Sequence, residues 1–237
     1  MRIVVNHLTR MQRGYMCVAG VDMDTGHHVR PVSVAGRLST NLLVRNNGPF
    51  DMRVVVDLGT PRSLQRRPEV EDHVVDLSRA RTIGTLKAGK FWSLLTQIAK
   101  PRLRDVFGDD LTAVGSESYA VEVGKGSASL GCVVPRGRPM LYIRKRSDRP
   151  SQIRLQFNDS DFYPDCGVTD IRLYGDDHVT PNEALVQHLV KRLQSNVAVV
   201  LSVGLTRAYA SRPEFDPVHW LQVNNIHFED EPTWQLG

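Results

Sequence analysis

Arginines interleaved with aromatic residues are the side chains of this sequence best suited to chemistry on phosphates. The N-terminal segment offers Arg10, Arg13 and Tyr15, followed by Arg30 and Arg37. A guanidinium fork pairs with phosphate through parallel hydrogen bonds, and a tyrosine ring can stack a base. A second cluster runs from Arg136 to Arg154 and encloses Tyr142. If Met140–Arg146 is a strand, Tyr142, Arg144 and Arg146 share one face while Lys145 points away. Arg149 follows in an Arg-Ser-Asp-Arg-Pro loop. Arg10, Arg13, Tyr15, Arg30, Arg37, Tyr142, Arg144, Arg146 and Arg149 are therefore the candidate nucleic-acid contacts. Plainer roles fit the same residues: a basic loop, a solvated hairpin, or an Arg30 paired with Asp22 across a turn. A third group, Lys87, Lys90 and Trp92, lies beside an amphipathic segment, where Trp92 is expected in the core.

Other chemistries find weaker support. Asp159, Asp161, Asp165 and Asp170 lie within twelve residues, and clustered carboxylates can hold Mg²⁺ for phosphodiester cleavage. Tyr163 and Pro164 break the calcium-loop pattern, and an acidic turn accounts for the run. His27 and His28 are neighbours that a strand points to opposite faces. The other histidines show neither HExxH nor HxH spacing. Cys17, Cys132 and Cys166 are too far apart for a CxxC pair, and Cys17 and Cys132 fall in apolar strands where thiols are inert. GxSxG is absent, and Gly124-Lys125-Gly126-Ser127 reads as a hairpin turn rather than a phosphate loop. No catalytic residue, metal site or cofactor is expected.

The 237 residues are enough to bury a core without disulfides. The net charge of +4 hides an asymmetry: residues 1–150 carry a balance of +10 and residues 151–237 one of −6. Arginine supplies 24 of the 30 basic residues, consistent with a phosphate-binding front or with arginine-rich codon usage. No apolar run reaches the roughly 18 residues of a membrane helix, and the N-terminal apolar stretch is too short for a signal peptide. With no disulfide framework, the expected location is the cytoplasm.

Strand signals dominate. Ile3–Asn6, Tyr15–Val21, a return near His28–Val32 after Asp24-Thr25-Gly26, and Met52–Leu58 are expected strands. Tyr119–Val123, Leu130–Val134, Met140–Arg144, Ile153–Phe157, Val168–Tyr174, Val197–Val203 and Trp220–Phe228 follow. Two helices are expected. Lys90–Ala99 stops before Pro101. Pro181–Gln194 starts from Thr180 as N-cap with Glu183 closing a capping box, and buries a stripe of Leu185, Val186, Leu189, Val190 and Leu193. The fold class is mainly β with a few helices. About five strands and one helix per half is the element count of two OB-like β-barrels in tandem, residues 1–112 and 113–237.

The run Cys17-Val18-Ala19-Gly20-Val21-Asp22, then Gly26, then Val29-Arg30-Pro31-Val32-Ser33, resembles the start of the dual OB-containing domain family. Glu71-Asp72 after Arg66-Arg67, Val168-Thr169-Asp170, and a closing strand after Leu201-Ser202-Val203-Gly204-Leu205 extend the resemblance over nearly the whole chain. It implies two OB-like barrels, nucleic-acid binding and an association with prokaryotic defence. The expected activity is non-catalytic binding of single-stranded DNA or RNA through arginine–phosphate contacts and base stacking. A protein partner from a neighbouring gene is compatible, and no membrane partner is expected. The alternatives are a metal-dependent nuclease or nucleotide-processing enzyme built on the acids around Asp161, and a protein-interaction adaptor docking through the Trp220–Trp234 tail.

Overall fold

A computed structural model describes residues 1–11, 14–145, 147 and 150–231. Eight strands precede the first helix: β1 (Arg2–Arg10), β2 (Tyr15–Asp22), β3 (His28–Val32), β4 (Leu38–Ser39), β5 (Val54–Asp57), β6 (Arg62–Ser63), β7 (Asp72–Val74) and β8 (Arg81–Thr85). Helices α1 (Ala88–Ile98) and α2 (Arg104–Phe107) come next. They lead into β9 (Thr112–Val114), β10 (Ser118–Glu122), β11 (Leu130–Val133), β12 (Arg136–Arg144), β13 (Gln152–Asn158) and β14 (Asp165–Val168). Helix α3 (Glu183–Leu193), β15 (Val199–Leu205) and β16 (Val218–Phe228) close the chain.

Strands β1 to β8 form one curled sheet in the order β6-β7-β3-β2-β1-β5-β8, with β4 also paired to β2. Strands β9 to β16 form a second, in the order β11-β15-β16-β14-β13-β12, with β10 joining β16 to β9. The mainly β class with two OB-like barrels is thus the observed architecture. Ile3, Val18, Val56, Phe91 and Leu95 belong to the first core, and Phe107, Phe157, Leu189 and Phe228 to the second. Leu103, Phe107 and Leu111 pack in the second core although they precede residue 113. Cys132, Ile171 and Val200 pack in the first.

Most expected strands appear: β1, β12, β13 and β16 run longer than expected, β5 and β11 are shorter, and β10 and β15 are shifted. The hairpin between β2 and β3 turns at Gly26, whose φ of +74° suits glycine. The short strands β4, β6, β7, β8 and β9 were not foreseen, because two to five residues of mixed polarity leave no period to read. Val168–Tyr174 is not one strand. β14 ends at Val168, and a 3₁₀ turn at Ile171–Leu173 follows, with the Asp170 side chain accepting from Arg172 N.

Helix α1 buries Phe91 and Leu95, with Trp92 packed at the edge of the same core. Helix α3 buries Val186, Leu189 and Leu193 as its stripe predicts. Its N-cap is Asn182 rather than Thr180: Asn182 Oδ1 accepts from Leu185 N at 3.1 Å. The Thr180 hydroxyl instead donates to Asp177 at 2.5 Å, closing a turn before the helix. Among the described residues no helix is long and apolar enough to cross a membrane.

Candidate nucleic-acid interface

The two barrels meet along β1. Strand β5 covers only Arg2–Val4 of its outer edge, so the backbone beyond needs other partners. The second half supplies them. The Asn225 side-chain amide accepts from Leu8 N at 2.8 Å and donates to Leu8 O at 3.1 Å, as a neighbouring strand would. Arg10 N donates to Thr169 O at 2.8 Å. These bonds fix β1 against β16 and bring the end of β1 beside Thr169, just after β14.

A buried charge network forms a second clasp. Arg30 on β3 is 4% exposed and donates through Nε to Asp72 at 2.5 Å and through Nη2 to Ser129 Oγ at 3.2 Å. Glu71 accepts from Ser129 N at 2.8 Å, from Ser129 Oγ at 2.7 Å and from Leu130 N at 3.2 Å. Burial pushes the Glu71 pKa up, against the lowering pull of its Ser129 hydrogen bonds. Arg207, from the second half, reaches back to Asp72 at 2.7 Å and Glu69 at 3.1 Å. The family-like residues Arg30, Glu71 and Asp72 therefore join the barrels. Arg30 pairs with Asp72, not with Asp22, whose carboxylate closes the β2–β3 turn by accepting from Asp24 N.

Two cavities lie on the face beside this clasp. One, of about 780 Å³, is lined by Arg10, Arg144, Arg154, Arg212, Tyr209 and Trp220 among others. The other, of about 610 Å³, includes Arg10, Arg30, Arg37, Arg207 and Tyr209. They share Arg10, Thr169, Thr206, Tyr209 and Gln222, and so adjoin as two parts of one furrow lined from both barrels. Seven arginines line the furrow against a single acidic residue, Asp165. A third cavity, of about 390 Å³, has Asp22 and Asp24 and no cationic lining residue.

Along this furrow the arginines are held differently. The Arg10 guanidinium lies 3.9 Å over the Tyr174 ring and donates to His178 O at 2.6 Å, while its Nε is buried without a partner. Arg37 is exposed, 5.8 Å over the Tyr15 ring. Arg144 and Arg154 converge on the buried Asp165, to which the Tyr142 hydroxyl also donates at 2.7 Å. Arg212 is exposed and meets Glu214 only at 3.9 Å. Tyr209 and Phe215 are 51% and 54% exposed. Trp220 lies beside Tyr209 with ring centroids 6.2 Å apart, and its indole N–H donates to Tyr209 O.

The structure thus brings Arg10 and Arg37 to one cavity and places Arg144 in the adjoining one. Tyr15 stands behind Arg37, and Tyr142 stands behind Arg144. Arg30 borders the furrow with its guanidinium turned into the clasp, which leaves it no fork to offer phosphate. Arg13, Arg146 and Arg149 lie outside the described residues. Sequence reasoning placed Arg154 in the second basic cluster but not among the candidate contacts, missed Arg207, Tyr209, Arg212 and Phe215 as furrow residues, and gave Trp220 a strand and a docking tail rather than a stacking role. The Arg207-Ala-Tyr209…Arg212-Pro-Glu-Phe215 run carries the same interleaving that singled out the N-terminal segment.

The acids around Asp161 do not assemble. Asp159 accepts from the backbone N–H groups of Leu103, Asp161 and Phe162. Asp161 faces Arg102 at 3.7 Å, Asp165 holds Arg144 and Arg154, and Asp170 pairs with Arg172 at 2.7 Å. Each carboxylate is spent on its own backbone or cationic partner.

A model of the dual OB-containing domain matches residues 1–226. The chain belongs to the dual OB-containing domain family. A search of curated proteins finds no match. Family membership accounts for both curled sheets at once and for the span of the motifs, from the β2 run to the β15 run. Within this dual OB architecture, the furrow draws its lining from both halves.

Proposed function

We propose that this dual OB protein binds single-stranded DNA or RNA along the furrow without catalysing a reaction on it. The observation that carries this reading is the pair of adjoining cavities in which Arg37 and Arg212 are exposed beside the partly engaged Arg10, Arg144 and Arg154. OB folds grip single strands by tracking phosphates with cations and stacking bases on aromatics, which confers weak sequence preference. Arg37 and Arg212 serve as phosphate contacts, Arg10 and Arg144 as partly engaged ones, and Tyr209, Phe215 and Trp220 as stacking surfaces. The dispersed carboxylates favour binding over metal-dependent cleavage. A cytoplasmic setting and the link to prokaryotic defence belong to the same proposal and rest on the resemblance.

The test is fluorescence anisotropy of labelled single-stranded DNA, single-stranded RNA and duplex at several salt concentrations. Salt-sensitive binding to a single strand is expected. Each phosphate-contacting arginine removed, by Arg37→Glu or Arg212→Glu, should reduce the log–log salt slope by about 0.7. Tyr209→Ala should weaken binding by about 1–3 kcal/mol if a base stacks there. No binding to any of the three at low salt would refute the proposal.

A further inference from the structure

Three side chains from three strands converge in the polar seam between the barrels. His7 on β1, His28 on β3 and Cys132 on β11 each offer a ligand atom, and these atoms all lie within 4.8 Å of one another. Among the described residues this is the one such group of three. The imidazoles are 4.9 Å apart at 83°, an edge-on arrangement that lets two ring nitrogens approach a common point.

The surrounding hydrogen bonds leave gaps where a ligand would sit. His7 Nδ1 faces the Asn224 side-chain amide at 3.0 Å and His7 Nε2 is buried with no partner; for Nε2 to ligate a metal, Nδ1 carries the ring proton and Asn224 turns its amide oxygen to accept it. Asn6 Nδ2 stands between His28 Nε2, at 3.1 Å, and Cys132 Sγ, at 3.4 Å, while Asn6 Oδ1 is buried and unpaired. Two orphaned buried polar atoms in adjacent residues are unusual and call for an unseen partner. Ligands at tetrahedral zinc distances stand about 3.3–3.8 Å apart. The Asn6 amide nitrogen already keeps nearly that spacing from His28 and Cys132. Half a turn of the amide would put an oxygen in its place as a fourth donor.

We propose that His7, His28 and Cys132 bind a zinc ion, with the fourth position filled by the Asn6 amide oxygen or a water. Two imidazoles and a thiolate suit zinc and exclude Mg²⁺ and Ca²⁺, which take oxygen ligands. Closing the three atoms onto one ion takes less than about 1 Å of movement from each side chain. A cavity of about 730 Å³ is lined by His28 and Cys132 and gives the ion a way in. Since His7 and His28 belong to the first sheet and Cys132 to the second, the ion staples the barrels beside the Arg30 clasp. The ion site stands without the nucleic-acid reading, although His7 also lines the cavity of about 610 Å³.

Metal content of chain purified without chelator should be about one zinc per chain. Chelator-stripped protein titrated with Co²⁺ should develop the strong visible absorption of tetrahedral cobalt and a thiolate-to-cobalt charge-transfer band. That band should vanish in Cys132→Ser and persist in Cys17→Ser and Cys166→Ser. His28→Ala, at the cavity wall, supplies a second variant should Cys132→Ser fail to fold, and should lower cobalt affinity at least tenfold. Zinc should raise the Tm of the stripped wild type and leave Cys132→Ser unmoved. No thiolate band in the wild type, or a band that survives Cys132→Ser, overturns the assignment.

Discussion

Arg30 separates two roles that sequence alone left open, because a structural arginine and a phosphate-binding one respond oppositely to neutralisation. Arg30→Met keeps most of the side-chain volume and removes the charge. It deletes the 2.5 Å bond to Asp72 and the 3.2 Å bond to Ser129 in a site where both ionic partners are almost fully buried. Removing one member of a buried pair costs about 3–5 kcal/mol, because the other charge is left behind in a poor solvent. Arg207 still reaches Asp72 at 2.7 Å and offsets part of that loss, which points to the lower end, about 3 kcal/mol. For a chain of this size, that lowers Tm by about 6–12 °C. The assay is urea denaturation and thermal melting, followed by anisotropy well below the new Tm. If Arg30 belongs to the clasp, stability falls while the salt slope stays at the wild-type value. Adding Asp72→Asn should return part of the stability, since it removes the stranded charge. A loss under about 1 kcal/mol, or a slope reduced as for Arg212→Glu, would refute the clasp argument.

Asp159→Ala should cost about 2–3 kcal/mol in denaturant melts, because it strands the buried Leu103 N–H that the carboxylate holds at 2.6 Å together with two others. Gly20→Ala on β2 would place a Cβ 2.6 Å from Val4 O, so β1 and β2 must part; a loss of about 1–3 kcal/mol is expected, read as a lower urea midpoint. Burial lowers the His28 pKa from 6.5 to about 4. The unfolded chain therefore binds more protons below pH 6.5, and the contribution of neutral His28 is complete above 6.5 and lost as pH falls towards 4. Measured in chelator, the stability of the wild type relative to His28→Gln should drop by at most about 2 kcal/mol between pH 7 and 5, less where water in the cavity solvates the ring. A difference that does not change with pH would show that His28 is not held neutral by burial.

The β architecture was readable because alternation along segments such as Ile153–Phe157 reports directly on which face is buried. Helix α3 was readable from its apolar stripe, but its cap was not. Thr180 and Asn182 are both good caps, and the choice depends on Asp177 holding the Thr180 hydroxyl, a contact that spacing does not reveal. The arginine–aromatic signature found part of the furrow, since Arg10, Arg37 and Arg144 line it. It could not tell Arg30 from these, because a guanidinium is turned inward by partners 42 and 99 residues away. The acids around Asp161 kept a metal site open only as an alternative to an acidic turn, and they do not converge: sequence proximity is not spatial convergence. His7, His28 and Cys132, which do converge, are spread over 126 positions and match no ligand motif.

The polar seam explains why such residues are tolerated in the interior. β1 leaves the first sheet with backbone groups that β5 does not reach, and the second barrel meets them with Asn225 and Thr169, beside the apolar contacts of Ile171 and Val200. Directional bonds fix one relative placement of the barrels, where an apolar contact would allow sliding. The furrow depends on that placement, because Arg10 and Tyr209 serve both cavities. Loosening the seam should then weaken nucleic-acid binding without changing the number of phosphates contacted. Asn225→Leu, which keeps the volume and removes both bonds to Leu8, is the direct trial. The expected result is reduced affinity at every salt concentration with parallel log–log lines, whereas lines that converge would mean that a phosphate contact itself had been lost.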